Sequence, residues 1–304
     1  MIIYRQQEIK QETFGDGTLK VAVPENLLGN SLNVLPLFGL GGSSDAPETI
    51  TWCYDSDSEL FTLRCLVDTI RDVKGPYKAI DLVLPYIPHA RQDRKVSNRL
   101  FTLKSFANML NDMNFNTVRV LDPHSDVSSA LINRVTELVR PIELLNISKD
   151  VVLMYPDAGA AKKYKADDTA IIGNKHRNSE GRIEKYELLN FVEGTKAVVI
   201  VDDICSYGGT FVAAAEELRR RGVETVGLVV SHCEDNIDKG KVFDTIDFVY
   251  TSDSICHLPE SEKLKYIVNY NFRKVITDSS NVDDSLLKDL PESQPCSAVE
   301  ESNA

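Results

Sequence analysis

Residues 198 to 210 read VVIVDDICSYGGT: a branched apolar run that ends in two adjacent carboxylates, followed by paired glycines and a threonine. Glycine removes a side chain and permits positive φ, so the backbone NH groups of Ser206, Tyr207, Gly208, Gly209 and Thr210 can surround an anion. Thr210 adds a hydroxyl donor, and FVAAAEELRR after it favours a helix whose N-terminus faces that anion. Phosphate alone does not account for Asp202 and Asp203, since carboxylates repel it. They fit if they hold sugar hydroxyls, organise a cation or tune nearby protonation. The combination points to a sugar phosphate; the plain alternative is an acidic strand end with a glycine turn.

Four further segments carry chemistry-bearing residues. PYIPHARQDRK, residues 85 to 95, concentrates Arg91, Arg94 and Lys95 beside Asp93, which suits a polyphosphate or a basic surface loop. VLDPHSD, residues 120 to 126, sets His124 among carboxylates, where it can bind a cation, contact phosphate or cap the next helix. MYPDAGAAKKY, residues 154 to 164, is a strand, an acidic residue and small residues entering a helix; Asp157 is a candidate magnesium ligand, and Lys162 and Lys163 read as covering the helix surface. In IIGNKHRNSEG, Lys175 and Arg177 follow a strand and precede a polar loop, placed to close over phosphate or to lie solvated.

These segments need a scaffold. SELFTLRCLVDTIRDV, LFTLKSFANMLNDMN, SALINRVTELVR and FVAAAEELRRRG read as helices; AIDLVLPYI, TVRVLD, VVLMYPD, TAIIGN, AVVIVDD, TVGLVVSH and TIDFVYTSD read as strands. The alternation predicts an α/β fold with mostly parallel sheets flanked by helices, in which ligands gather at the carboxyl ends of strands. The 304 residues suffice for two domains of about 150 each. A boundary falls near 140 to 148, giving residues 1–145 and 146–285, with a loose acidic tail over 286–304.

The net charge of −12 opposes nucleic acid and anionic lipid, no apolar run is long enough to span a membrane, and the six scattered cysteines are expected as reduced thiols. A cytoplasmic protein is expected, in a host cytoplasm if the source is viral.

The turn resembles the ribose-phosphate motif of phosphoribosyltransferase-fold proteins, with Ser206 at a position commonly acidic and Tyr207 where a threonine is usual. Tyr86, Ala90, Arg91, Gln92, Asp93, Arg94 and Lys95 match the YxxxARQDRK segment of ribose-phosphate diphosphokinases, and TFGDGT resembles their F-x-D-G-E, with Thr18 in place of the glutamate. The resemblance implies two related phosphoribosyltransferase-type domains and the conversion of ATP and ribose 5-phosphate to AMP and 5-phosphoribosyl 1-pyrophosphate. It assigns Arg91, Gln92 and Asp93 to the ATP site, and Phe14 and Asp16 to adenine and ribose across a subunit interface. His124 and Asp157 fall to magnesium, and Lys175 and Arg177, with Arg91, to the catalytic charge. The turn and Asp202 and Asp203 hold the sugar phosphate. A homo-oligomer follows, at least a dimer and up to a hexamer. Two sibling readings share the turn: a transferase consuming the product, which leaves ARQDRK unexplained, and a silent regulatory subunit, against which Asp157, Lys175 and Arg177 stand.

Overall fold

The computed structural model describes residues 1–28, 46–177 and 183–273. The expected tail at 286–304 lies outside them. The chain opens with β1 (Ile2–Tyr4), β2 (Gln7–Glu8), β3 (Gln11–Thr13), β4 (Leu19–Val21) and a short α1 (Glu25–Leu28). There follow β5 (Glu48–Trp52), α2 (Ser58–Lys74), β6 (Ile80–Val83), α3 (Thr102–Asn111), β7 (Thr117–Leu121), α4 (Asp126–Leu131), β8 (Val135–Leu138) and α5 (Pro141–Leu144). The second run is β9 (Val151–Tyr155), α6 (Ala158–Lys163), β10 (Ile171–Arg177), β11 (Ile183–Leu189), β12 (Ala197–Cys205), α7 (Gly209–Arg220), β13 (Thr225–Cys233), α8 (Val242–Thr245), β14 (Phe248–Thr251) and β15 (Leu264–Tyr266).

Two sheets result. The first has the order β2-β1-β5-β6-β7-β8 and the second β11-β10-β9-β12-β13-β14-β15. Within these two, pairing is parallel except where β1 meets β2 and β5 and where β11 meets β10, which bears out the mostly parallel α/β reading; β3 and β4 form a separate two-stranded antiparallel sheet. Central strands of such sheets are covered on both faces and therefore read as continuous apolar runs. Val198 to Val201 on β12 and Val226 to Val230 on β13 are buried accordingly. The helix α2 buries Leu63, Leu66, Val67 and Ile70 on one face and stops where Gly75 takes φ 108°, as KGPY suggested.

One expected helix is not there. SALINRVTELVR divides into α4 and β8, with Arg134 at φ 56° between them. Val135 and Thr136 are β-branched, and pairing Val135 to Val118 and Leu138 to Leu121 completes the open edge of β7, a tertiary gain that a helical period does not register. The strand expected from TAIIGN is likewise longer: it continues through Lys175 to Arg177 because β11 pairs back onto it. Lys175 and Arg177 therefore lie on a strand, not after one, and residues 178–182 fall outside the described part.

The five described cysteines, Cys53, Cys65, Cys205, Cys233 and Cys256, are free thiols. Among the described residues no helix is long and apolar enough to cross a membrane.

The sheets meet along a polar seam. Asp122, just past β7, is fully buried in a left-handed conformation, φ 41°. Its Oδ2 accepts from the Tyr164 and Ser231 hydroxyls, and its Oδ1 faces Lys163 Nζ at 3.0 Å and Arg140 Nε at 3.4 Å. Nearby, the buried His232 bonds Leu121 O at 2.9 Å and Ser254 Oγ at 2.8 Å. Burial holds its imidazole below the usual range, so it stays neutral. Tyr270 and Phe272, after β15, cross back to pack with Cys53, Val83, Leu121 and Leu138.

Removing one partner of a buried ionic cluster strands the others. Asp122→Ala is therefore expected to cost about 3–5 kcal/mol in urea unfolding; a loss under about 1 kcal/mol would show that the seam does not depend on it.

Candidate functional site

The candidate segments that follow β6, β7, β9 and β12 sit at the carboxyl ends of parallel strands, where such sheets open towards ligands. On the second sheet β12 delivers Asp202 and Asp203, and α7 begins at Gly209. Gly208, the residue before α7, is left-handed at φ 74°, and a Cβ there would meet Val242 Cγ2 at 2.0 Å, so only glycine fits. At Gly209 nothing lies within 4 Å of the Cβ position, so the turn is open at the helix N-terminus. Tyr207 projects outward, 57% exposed, and does not fill that space.

Asp203 is buried, and its Oδ2 is 2.6 Å from His124 Nδ1 and 3.3 Å from Lys163 Nζ. Burial alone would raise its carboxyl, but the hydrogen bond to His124 and the charge of Lys163 hold it well below the usual carboxylate range. Asp202 has no such cation. Burial, and then the negative charge of Asp203, push it up to about 8. Thus the two adjacent carboxyls are pushed in opposite directions, Asp203 towards ionisation and Asp202 towards its protonated form.

Lys163 was expected on the helix surface. The structure instead turns it inward from the last residue of α6, between Asp122 and Asp203, with its ammonium 5.5 Å from the Tyr164 ring centroid. The spacing of AGAAKK holds no signal of this, because it depends on where β7 and β12 end relative to α6.

Asp157 stands immediately before α6. Its Oδ1 accepts from Ala160 N at 3.0 Å and its Oδ2 from Lys175 Nζ at 2.7 Å. Burial opposes its ionisation, but the Lys175 and backbone hydrogen bonds outweigh this and lower its pKa. Gly173 makes the contact feasible, since a Cβ there would meet Tyr186 Oη at 2.0 Å and Pro156 O at 2.7 Å.

From the first sheet, the ARQDRK segment follows β6. Arg91 reaches across to Glu234 at the end of β13, NH1 to Oε1 3.3 Å. Gln92 is exposed and accepts from Thr102 Oγ1 at 2.7 Å. Asp93 turns inward, buried, with Arg94 Nε on its Oδ1 at 2.8 Å; that bond lowers its carboxyl pKa. Arg91, His124, Asp203 and Tyr86 line a common cleft with the buried His232.

Phe14 and Asp16 occupy the tip of the β3–β4 hairpin. Phe14 is 55% exposed, and Asp16 Oδ1 accepts from Thr18 N and Thr18 Oγ1, at 3.0 and 2.7 Å. Gln11 Nε2 anchors the hairpin to Thr62 on α2 at 2.8 Å. Among the described contacts none joins Phe14 or Asp16 to Arg91, His124 or Asp203 of the same chain.

Lys163, His232 and Glu234 were missed in the sequence. Glu234 alone carried a usable sign, since it follows TVGLVVSHC directly at a strand's carboxyl end.

Asp202 ties stability to pH. Its folded pKa exceeds the unfolded 3.8, so its contribution is full below that value and is lost as pH rises towards about 8. Asp202→Asn is expected to raise the thermal midpoint more at about pH 8.5 than at about pH 5; an equal rise at both would refute the protonated state.

Residues 151–262 match the family model described as a phosphoribosyl transferase domain. Over 223 residues the chain is 32% identical to the ribose-phosphate pyrophosphokinase of Mycoplasma genitalium, covering 67% of this chain and 66% of that protein. It is 30% identical to the enzyme of the same name from Mycoplasma pneumoniae, covering 67% of each. The chain thus spans about two thirds of the length of these relatives. The phosphoribosylpyrophosphate synthetase of Mycobacterium smegmatis has a crystal structure similar in fold, with a TM-score of 0.64 and 16% identity over 86% of this chain and 85% of that one. Ordered similarity across both sheets, and not the glycine turn alone, shows that this chain belongs to the ribose-phosphate pyrophosphokinase family of enzymes.

Proposed function

We propose that the chain transfers the β,γ-diphosphoryl group of ATP to the 1-hydroxyl of ribose 5-phosphate, giving AMP and 5-phosphoribosyl 1-pyrophosphate. One observation carries this reading: the ARQDRK loop and His124 of the first sheet converge on the Asp203 carboxylate and glycine turn of the second, with His124 Nδ1 2.6 Å from Asp203 Oδ2. A nucleotide triphosphate and a sugar phosphate can then lie side by side.

In this reading the backbone NH groups from Ser206 to Thr210 take the 5-phosphate, with Tyr207 at the rim, and Asp202 and Asp203 accept from the ribose hydroxyls. The anomeric hydroxyl oxygen attacks the β-phosphorus in line; the O1–Pβ bond forms as the bond from Pβ to the bridging oxygen breaks, AMP leaves with that oxygen, and the hydroxyl proton is released to water. Positioning and charge do most of the work, and no protein nucleophile is needed. Arg91, Lys175 and Arg177 offset the charge that moves from the β-phosphorus to the leaving oxygen. Asp122 is buried among two cations and two hydroxyls and serves as a structural hub, which leaves it out of proton transfer. Gln92 and Asp93 shape the ATP loop. Phe14 and Asp16 of a second copy supply the adenine contacts, so the working unit is a homo-oligomer, at least a dimer and up to a hexamer.

Magnesium suits the residues present. Among the described residues no group of three or more His, Cys, Asp or Glu side chains forms a cage. Asp157 instead offers the kind of single carboxylate that holds a magnesium ion otherwise bound by phosphate oxygens and water, with His124 as the second ligand of this reading. When bound, it would neutralise phosphate charge. Lys175 shares Asp157 Oδ2 with any such cation, so binding there would free the ammonium for phosphate.

An assay following AMP and 5-phosphoribosyl 1-pyrophosphate from ATP and ribose 5-phosphate tests this reading. Stoichiometric product, abolished by chelation of magnesium, is expected. Lys175→Ala should lower kcat about 10²–10³-fold while the thermal midpoint stays within a few degrees. No turnover by a folded oligomer would instead favour a silent subunit.

A further inference from the structure

Glu234 belongs to none of the segments discussed so far as functional, yet it stands where they join. Its backbone NH donates to Cys205 O at 2.8 Å, which pins it beside the start of the glycine turn. Its Oε2 accepts from the Ser206 hydroxyl and from Asn236 Nδ2 at 3.3 Å, while Oε1 takes Arg91 NH1 at 3.3 Å. The side chain is 28% exposed and so remains open to solvent. Register places it there: Cys205 pairs with Cys233, so β12 and β13 end side by side and the residues that follow them, Ser206 and Glu234, meet.

A carboxylate at this point does not serve a phosphate. It repels the anion, and it takes the one proton that the Ser206 hydroxyl could donate, so that hydroxyl, unlike the Ser206 backbone NH, is not a phosphate donor in this arrangement. What a carboxylate held between a hydroxyl and a guanidinium does well is accept hydrogen bonds from neutral hydroxyls. Ser206 and Glu234 joined by a hydrogen bond also put negative charge within reach of position 206, where the sequence itself has a short neutral side chain.

We propose that Glu234 is a further carboxylate, beside Asp202 and Asp203, that reads the sugar hydroxyls next to the glycine turn, held in place by Ser206 and Arg91. The inference rests on the sugar-phosphate reading of that turn. It makes Glu234 a specificity residue: it favours a phosphate that carries a hydroxylated sugar over bare phosphate.

Calorimetric titration with ribose 5-phosphate and, separately, with inorganic phosphate tests it on the full chain and on Glu234→Gln, Glu234→Ala and the double variant Ser206→Asp, Glu234→Gln. Glutamine keeps the shape and removes the charge, so a folding defect in the alanine variant does not decide the outcome. The single variants are expected to bind ribose 5-phosphate about ten-fold or more weakly, with inorganic phosphate held as well or better. In turnover KM for the sugar should rise more than kcat falls, and the double variant should recover most of the affinity, because it returns the carboxylate from position 206. Unchanged or tighter ribose 5-phosphate binding by Glu234→Gln overturns the inference, as does an equal loss of both ligands, which would mark Glu234 as a brace of the turn. A wild-type chain that binds phosphate but not ribose 5-phosphate would overturn the sugar-phosphate reading itself, and the inference with it.

Discussion

The buried carboxylate of Asp122 is the constraint around which the molecule is arranged. A fully buried anion is tolerated only when paired, and its four partners come from three places: Arg140 between the sheets, Lys163 and Tyr164 at the end of α6, and Ser231 on β13. That requirement joins the end of β7 to the second sheet. It also aims Lys163, which then reaches Asp203 as well. The site carboxylates are therefore tuned by the same cation that closes the seam.

A second regularity concerns the cations. Lys175 rests on Asp157, His124 on Asp203 and Arg91 on Glu234. Without these partners the three cations would concentrate unpaired positive charge around the strand ends. Local carboxylates offset that charge without filling the glycine turn, where the Gly209 position stays open. Under the proposed function, phosphates would exchange one set of charge contacts for another, which keeps the net electrostatic change modest while preserving geometry.

Local signals were legible wherever a local rule generates the structure. The apolar face of α2, its glycine stop and the strands β9, β12, β13 and β14 follow from periodicity and turn chemistry. Failures came where partners decide. SALINRVTELVR has helix-compatible spacing, but pairing with β7 claims its second half as β8. Lys175 and Arg177 looked like loop residues because β11, which extends their strand, reads IEKYELL, where Glu184, Lys185 and Glu187 break up the apolar residues and leave no regular alternation.

By itself the sequence determined the glycine turn and the order of the charged segments, because these depend on residue type over a few positions: only glycine takes φ 74° at 208 against Val242. Tertiary structure alone decided which charges meet. His124 and Asp203 are 79 residues apart, Arg91 and Glu234 143. Such distances hold no information until the sheets are in register and packed. The left-handed Asp122, the inward Lys163 and the placement of Glu234 beside Ser206 are consequences of that packing, since each satisfies a polar group that only burial or proximity across the seam created.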